Sequence, residues 1–416
     1  MLETIRTAWR ITELRQRILF TLAMFVVFRV GSHVPVPGVD PGLLGTIFEE
    51  GVFGFVGFLG GGALNNFAVF ALGIMPYINA SIIMNLLTVV IPKLKEWSQE
   101  GPEGRKKIAQ ITRYATVGIA FVQAIGMLGI IGGAVTDHSL STYAVIVISL
   151  TAGTAFLMWM GELITERGIG NGISLVIFAG IVAGMPGNIA RVAEQVSLGE
   201  INLAVALVVL ALILILLFGI IGLDQGQRRI AVQYSKRVVG RKMYGGQATH
   251  IPMKVNQAGV IPVIFASVLL MFPATMAQFI DHPIAQRAAN LLAPDQILYI
   301  FLYVTLIILF AFFYTAIQFD PNTIAGNIKK YGGFIPGLRP GRPTAEYLAR
   351  VTSRLTTVGA FALAFIAVFP IILQNITGVE ILFGGTGLII MVGVILETMK
   401  QIEGHLLTRS YRGFMK

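Results

Sequence analysis

The chain contains no cysteine, which excludes thiolate catalysis, disulfide bonds and cysteine-ligated metal centres. Histidine is almost as scarce. The five residues, His33, His138, His250, His282 and His405, are scattered, and no pair has the spacing that puts two ligands on one helix face, so no metal site is expected. Charge is thin: only 12% of the 416 residues are Asp, Glu, Lys or Arg, against about a quarter in an ordinary soluble chain. Nucleotide and nucleophile signatures are missing too. GGTG at Gly384 has no Lys after it and opens an apolar run, and GISLV lacks the flanking glycines of a nucleophile elbow. An enzyme is not expected, no cofactor is implied, and energy for any transport must come from a partner.

What the chain has is apolar residues, 55% of the total, the composition of an integral membrane protein. Residues 1–17 are charged and amphipathic, with Ile5, Ala8, Trp9, Ile11 and Leu14 near one helical face, and read as a helix on the membrane surface. Ile18 to Val34 is the first span; Arg29 near its far end is expected to snorkel to the interface. No small-residue cleavage site follows, so the run reads as a retained span. Further spans are expected at Gly73 to Ile91, Ile108 to Ile131, Thr142 to Gly161, Gly172 to Ile189, Asn202 to Gly222, Gln257 to Ile280, Gln296 to Gln318, Leu355 to Leu373 and Ile381 to Met399. At about twenty residues per span, that is an all-α membrane protein of about ten helices.

Basic residues gather on one side. With alternating helices, the N-terminus, 92–113, 162–171, 223–256, 319–354 and the tail 400–416 share a face, and of all Lys and Arg only Arg29, Arg191 and Arg287 lie elsewhere. The positive-inside rule puts that face and both termini in the cytoplasm. Ten helices divide into 18–190 and 202–399, five each, and an odd number makes the second half enter the membrane inverted, as in many transport proteins with a central pathway.

Phe55 to Asn85 breaks the pattern. It is apolar, yet Gly60, Gly61, Gly62, Asn65, Asn66 and Pro76 make it a poor single helix. It reads as a re-entrant piece followed by a spanning piece, because irregular backbone at membrane depth survives only inside protein or against water. Two basic loops also exceed what connection requires. Asp224 to Asn256 alternates like a strand around Arg229 to Tyr234 and turns at Gly240, which predicts a projecting hairpin. Phe319 to Arg354 holds Arg339 among glycines and prolines. These loops suit an acidic partner such as RNA, a ribosome or a motor protein.

The same stretches carry a family resemblance. GGALNNFAVFALGIMPYINASIIMNLL resembles the second-helix signature of the SecY protein-conducting channels. GELITERGIGNGISLVIFAGIVAG is similar to that family's join between its fourth and fifth helices. GQRRIAVQYSKRVVGRKMYGGQATHIPMKVNQAGVIPVIFASVLLMFP resembles its large cytoplasmic loop and seventh helix, and FIPGLRPGRPTAEYL the next loop.

The resemblance implies a plasma-membrane channel that passes unfolded secretory polypeptides and releases transmembrane segments sideways into lipid. It implies a plug at about 51–66, hinged at Gly60, Gly61, Gly62, Asn65 and Asn66. It implies an apolar pore ring of Ile74, Ile78, Ile173, Ile177, Ile264 and Ile390, and a polar gate cluster of Asn85, Asn171 and Asn256. At Asn85 many members have Gln, a longer amide. The lateral exit would lie between the second and third helices and the seventh and eighth. Arg241, Lys242 and Arg339 match positions that meet the motor ATPase SecA or the ribosome, and SecE and SecG are the implied small membrane subunits. The rival reading is a five-plus-five-helix secondary transporter of small solutes, against which stands the lack of an acidic residue at any span centre.

Overall fold

The computed structural model describes residues 7–40, 57, 60–234, 237–239, 242–244, 248–278, 291–293, 296–378 and 384–413. After a helical stretch at 7–10, the helices are α1 (Thr12–Gly31), α2 (Met75–Val90), α3 (Pro92–Gln99), α4 (Pro102–Ile131), α5 (Leu140–Arg167), α6 (Gly172–Ser197) and α7 (Leu203–Gln225). Strands β1 (Gln227–Tyr234), β2 (Arg237–Val239), β3 (Lys242–Tyr244) and β4 (Ala248–Lys254) follow. Then come α8 (Ile261–Gln278), α9 (Ile297–Gln318), α10 (Pro321–Lys330), β5 (Gly333–Phe334), α11 (Arg342–Thr377) and α12 (Gly384–Gly413).

Each apolar run expected from the sequence overlaps one of these helices, with residues 279–280 and 381–383 outside the described residues. Among the described residues, six helices are long and apolar enough to cross a membrane, and the bent pair α2 and α3, which turns through 100°, makes a seventh candidate. The remaining expected spans fall on α1, α8 and α12. Charges dilute the apolar run in α1 (Glu13, Arg15, Arg17, Arg29) and at the far end of α12 (Glu397, Lys400), and α8 carries an apolar stretch at Ile261–Met271. Several helices outrun the apolar stretch that predicted them. α5 continues to Arg167 and α11 starts at Arg342, because backbone bonding carries a helix on into water after the hydrophobic signal has stopped.

Prolines mark several helix starts. Pro76, Pro92, Pro102 and Pro321 occupy the first turns of α2, α3, α4 and α10, where the missing N–H has no partner to lose. Asn202, Asp320 and Ser139 cap α7, α10 and α5 by accepting backbone N–H bonds, the ordinary economy of short polar side chains. The Thr323 hydroxyl and the Asn322 N–H hold the Asp320 carboxyl below its usual range.

The helices pack in two groups. α1, α2, α4, α5 and α6 touch one another, as do α7, α8, α9, α11 and α12; the groups meet where α2 crosses α8 and where α6 lies against α12. Aliphatic and aromatic side chains face outward in number, among them Val90, Ile215, Phe218, Phe361 and Phe365, which is the surface of a protein solvated by lipid. Inside, close approach replaces polar contact. A Cβ on Gly153 of α5 would lie 2.0 Å from the Val69 carbonyl oxygen, so backbone blocks the space. Gly153→Val is expected to lower stability by about 1–3 kcal/mol, the cost of overpacking, read as a lower detergent-phase melting temperature. A melting curve matching wild type would show that α5 can move aside.

The two long loops form one platform. β1 pairs antiparallel with β4 from Gln227↔Lys254 to Gln233↔Ala248, and β5 adds to its other edge through Gln233↔Phe334 and Tyr234↔Gly333. The expected hairpin is therefore present, extended by the paired β2 and β3; Gly240, where the turn was expected, lies outside the described residues. Ile230, Val232 and Met253 from the sheet pack with Phe319, Ile328, Ile335, Leu348 and Val351 from the second loop. A shared apolar core makes the platform one body, so Arg339 is displayed on a supported surface.

Candidate functional site

The broken stretch shows how the chain builds an irregular segment at membrane depth. From 60 to 73 the backbone runs as turns, with Gly61, Gly62 and Gly73 at φ 66°, 81° and 57°, values that favour glycine. Its backbone is stitched to the exit of α1 by Val36 N–H donating to Phe67 O at 3.0 Å and Val69 N–H donating to Val34 O at 2.9 Å. Leu64 and Phe67 are fully covered and pack with Ala124 and Ile131 of α4 and Ile146 and Leu150 of α5. Protein thus covers the break at Leu64 and Phe67. Pro76 plays no part in it, since it opens α2. Of the expected plug, residues 51–56, 58 and 59 lie outside the described residues; Gly60 and Gly61 are buried, while Asn65 and Asn66 are exposed.

The helices converge on a cavity of about 700 Å³. Ile78, Ile173, Ile177 and Ile264, from α2, α6 and α8, line it; so do Asn85, Asn171 and Asn256. Ile74, which immediately precedes α2, and Ile390 of α12 do not line it, but both are buried in the same apolar cluster as Ile78, Ile177 and Ile264, with Ile173 packed against it. All six isoleucines thus belong to one cluster contributed by both helix groups, and it adjoins a cavity whose wall also holds charged side chains. Two ion pairs stand on that wall: Arg113 Nε with Glu162 Oε1 at 2.6 Å and Lys400 Nζ with Asp224 Oδ2 at 2.6 Å. A cavity with a mixed apolar and polar lining beside an apolar cluster can admit a hydrated chain and still deny ions a hydrated path.

The three asparagines differ. Asn85 Nδ2 of α2 donates to Tyr314 Oη of α9 at 3.1 Å, joining the two helix groups, so its shorter amide does reach across. Tyr314 stacks edge-on against Phe265 at 5.1 Å, and nothing in the sequence reading singled it out. A tyrosine in an otherwise apolar span, whose hydroxyl needs a partner when buried, was the available signal. Asn171 caps α6, its Oδ1 accepting from Ser174 N–H at 3.3 Å, while also lining the cavity. Asn256 is buried.

The sequence reading also missed how the loop before α6 is held. Ile169 N–H donates to Thr21 Oγ1 of α1 at 3.1 Å and Gly170 N–H to Gln401 Oε1 of α12 at 2.9 Å. Ile169 is buried with Ala8, Leu14 and Ile402, which ties the N-terminal residues to the far end of the chain. On the platform, Arg339 is exposed, its own carbonyl accepting from Thr344 Oγ1 at 2.9 Å. Lys242 lies in β3 opposite Val239, and Arg241 falls outside the described residues. Among the described residues no group of His, Asp and Glu could hold a metal ion.

A lipid-solvated bundle whose two helix groups both line a cavity with polar and apolar walls beside an apolar core has the architecture of a membrane channel. Comparisons agree. A family model described as SecY matches residues 68–399. The chain is 47% identical over 430 residues to the protein translocase subunit SecY of Halalkalibacterium halodurans, covering all of both chains. It is 45% identical over 417 residues to that of Escherichia coli K12, covering 97% of this chain and 94% of that one. The fold matches a solved protein-conducting channel with TM-score 0.67 at 18% identity over 93% and 91% of the two chains. It matches a SecY structure, whose plug domain is described as stabilising the closed state and maintaining a membrane seal, with TM-score 0.66 at 20% identity over the same shares. Sec61 in a canine ribosome–channel complex matches with TM-score 0.64 at 17% identity, again over 93% and 91%. The chain belongs to the SecY family: it is the protein-conducting channel subunit of the Sec translocase, a multi-pass membrane protein and not an enzyme.

Proposed function

We propose that this channel passes unfolded secretory polypeptides across the plasma membrane through the cavity between the two helix groups and releases transmembrane segments into lipid between α2 and α8. The observation that carries this is that the six isoleucines all belong to or pack against one apolar core shared by both groups, beside a cavity lined by Asn85, Asn171 and Asn256. Aliphatic side chains offer no directional bonds, so any sequence can slide past them, and an apolar ring closes again by dewetting. Residues 51–66 serve as the plug. Residues 18–190 and 202–399 are the two inverted halves, with both termini and the β1–β5 platform in the cytoplasm, as the placement of basic residues supports.

SecE and SecG complete the membrane complex in this reading, and SecA or a ribosome docks on the platform at Arg241, Lys242 and Arg339. Signal peptides enter the seam between α2 and the α8–α9 pair, where α2 touches α8 and Asn85 of α2 donates to Tyr314 of α9. Family membership removes the small-solute transporter. The test is purification in mild detergent followed by reconstitution: small single-span chains and a motor ATPase should co-purify, and vesicles given that ATPase, ATP and an unfolded precursor should protect the precursor from protease. A lone chain that protects no precursor would refute the assignment of partners and cargo.

A further inference from the structure

Arg29 stands in the last turn of α1, where a cation suits the helix dipole and where a long side chain ordinarily runs out to headgroups. Here it turns inward to a particular atom. Arg29 Nη1 donates to the Gly61 carbonyl oxygen at 3.1 Å. On its other side Gly61 presses on α6: a Cβ there would lie 3.1 Å from Gly180 Cα and 3.4 Å from Ala183 Cβ. Its φ of 66° excludes most other residues as well. Ala63 and Leu64, just beyond, are fully covered. The segment is thus gripped between a guanidinium on α1 and the backbone of α6.

We propose that Arg29 is a positioning residue that latches residues 60–64 against α6 and so sets how readily the plug leaves the pore. This rests on the reading of 51–66 as the plug. A bare apolar contact would let that segment slide, whereas a charge-assisted hydrogen bond to a backbone carbonyl fixes both distance and direction. It also releases cleanly, because the Arg side chain has the lipid headgroups as an alternative site. Arg29 is itself exposed, so the bond is screened and of moderate strength. That suits a latch that must open in every transport cycle.

The absence of cysteine makes the test direct. Ala63→Cys places a single thiol in the latched segment, and Ala124→Cys places a control thiol, also fully covered, in α4. Full-length channel with its native subunits is reconstituted in vesicles, and labelling by a membrane-impermeant maleimide is measured beside ion flux. Arg29→Ala should raise Ala63→Cys labelling about tenfold, the loss of one hydrogen bond to a charged group, with a parallel rise in ion flux and no change at Ala124→Cys. Arg29→Lys should restore most of the protection. If Arg29→Ala inserts poorly, Arg29→Gln, which keeps N–H donors without the charge, should label at an intermediate rate.

Labelling of Ala63→Cys at the wild-type rate in the Ala or Gln variant overturns the latch and leaves the plug reading intact. Faster labelling with unchanged ion flux shows that Arg29 holds a segment that does not seal, which overturns the plug reading and the gating role together. A matching rise at Ala124→Cys shows general loosening and overturns the latch.

Discussion

A channel with Ile78, Ile177 and Ile264 all replaced by serine is expected to leak small ions at rest while still inserting and still exporting precursor. These three side chains line the cavity from α2, α6 and α8 and are buried in one apolar core, so both helix groups contribute to its apolar wall. Each exchange removes three carbons from the apolar contact and adds a hydroxyl that holds water. At about 0.8 kcal/mol per buried CH2, that is roughly 2 kcal/mol per residue. Three together move the balance between a dry and a wetted constriction by about 6 kcal/mol, an upper bound because neighbouring side chains such as Ile173 and Val263 can close in. Even a quarter of that is about tenfold in open population.

The measurement is ion flux from reconstituted vesicles, with Ile→Leu at the same positions as the control. Leucine keeps the apolar wall and should keep the seal. Export should persist, because serine hinders a sliding polypeptide no more than isoleucine does. Ion tightness equal to wild type in the triple variant would remove the seal from these residues and place it elsewhere.

Parts of this design were open to a reader of the sequence. Spans such as Gln296 to Gln318 are uninterrupted apolar runs, and α9 occupies nearly that range. The alternation at Arg229 to Tyr234 gave the hairpin, because side-chain period reports directly on strand geometry. Long-range partners were a different matter. Asn85 meets Tyr314 and Arg29 meets Gly61, and periodicity says which face a residue occupies without saying what lies opposite. Arg29 looked like a side chain leaving for the headgroups because hydropathy treats the membrane as uniform. The re-entrant segment beside it makes it non-uniform. Pro76 looked like part of the break, although in a first turn it starts a helix at no cost, and only knowledge of where α2 begins separates the two. Asn171 was expected at the gate; it lines the cavity and caps α6 as well, which residue type alone could not distinguish.

Reversing the charge at Arg339 is expected to cost more than any other single substitution considered: Arg339→Glu should abolish most export while leaving the channel inserted, folded and tight to ions. Arg339 is exposed on the turn between β5 and α11, so its removal opens no cavity and strands no buried partner. The turn itself is firmly held. Gly337 sits at φ 83°, Leu338 N–H donates to Ile335 O at 3.0 Å, and Ile335 is buried in the platform core. A long cation on a rigid support presents its charge at a defined place. Nearby Arg342, by contrast, is paired with Glu346 at 3.0 Å and is already partly neutralised. If an acidic surface of a motor ATPase or a ribosome docks here, placing a carboxylate at the contact costs about 2–5 kcal/mol, between about thirtyfold and several thousandfold in affinity. Arg339→Lys should fall between, since an ammonium keeps the charge but loses the bidentate fork. Binding of the purified motor or ribosome to vesicles carrying each variant, with protease protection of a precursor alongside, separates docking from passage. Undiminished binding with lost export would move Arg339 from docking to a later step, and undiminished export would end its role altogether.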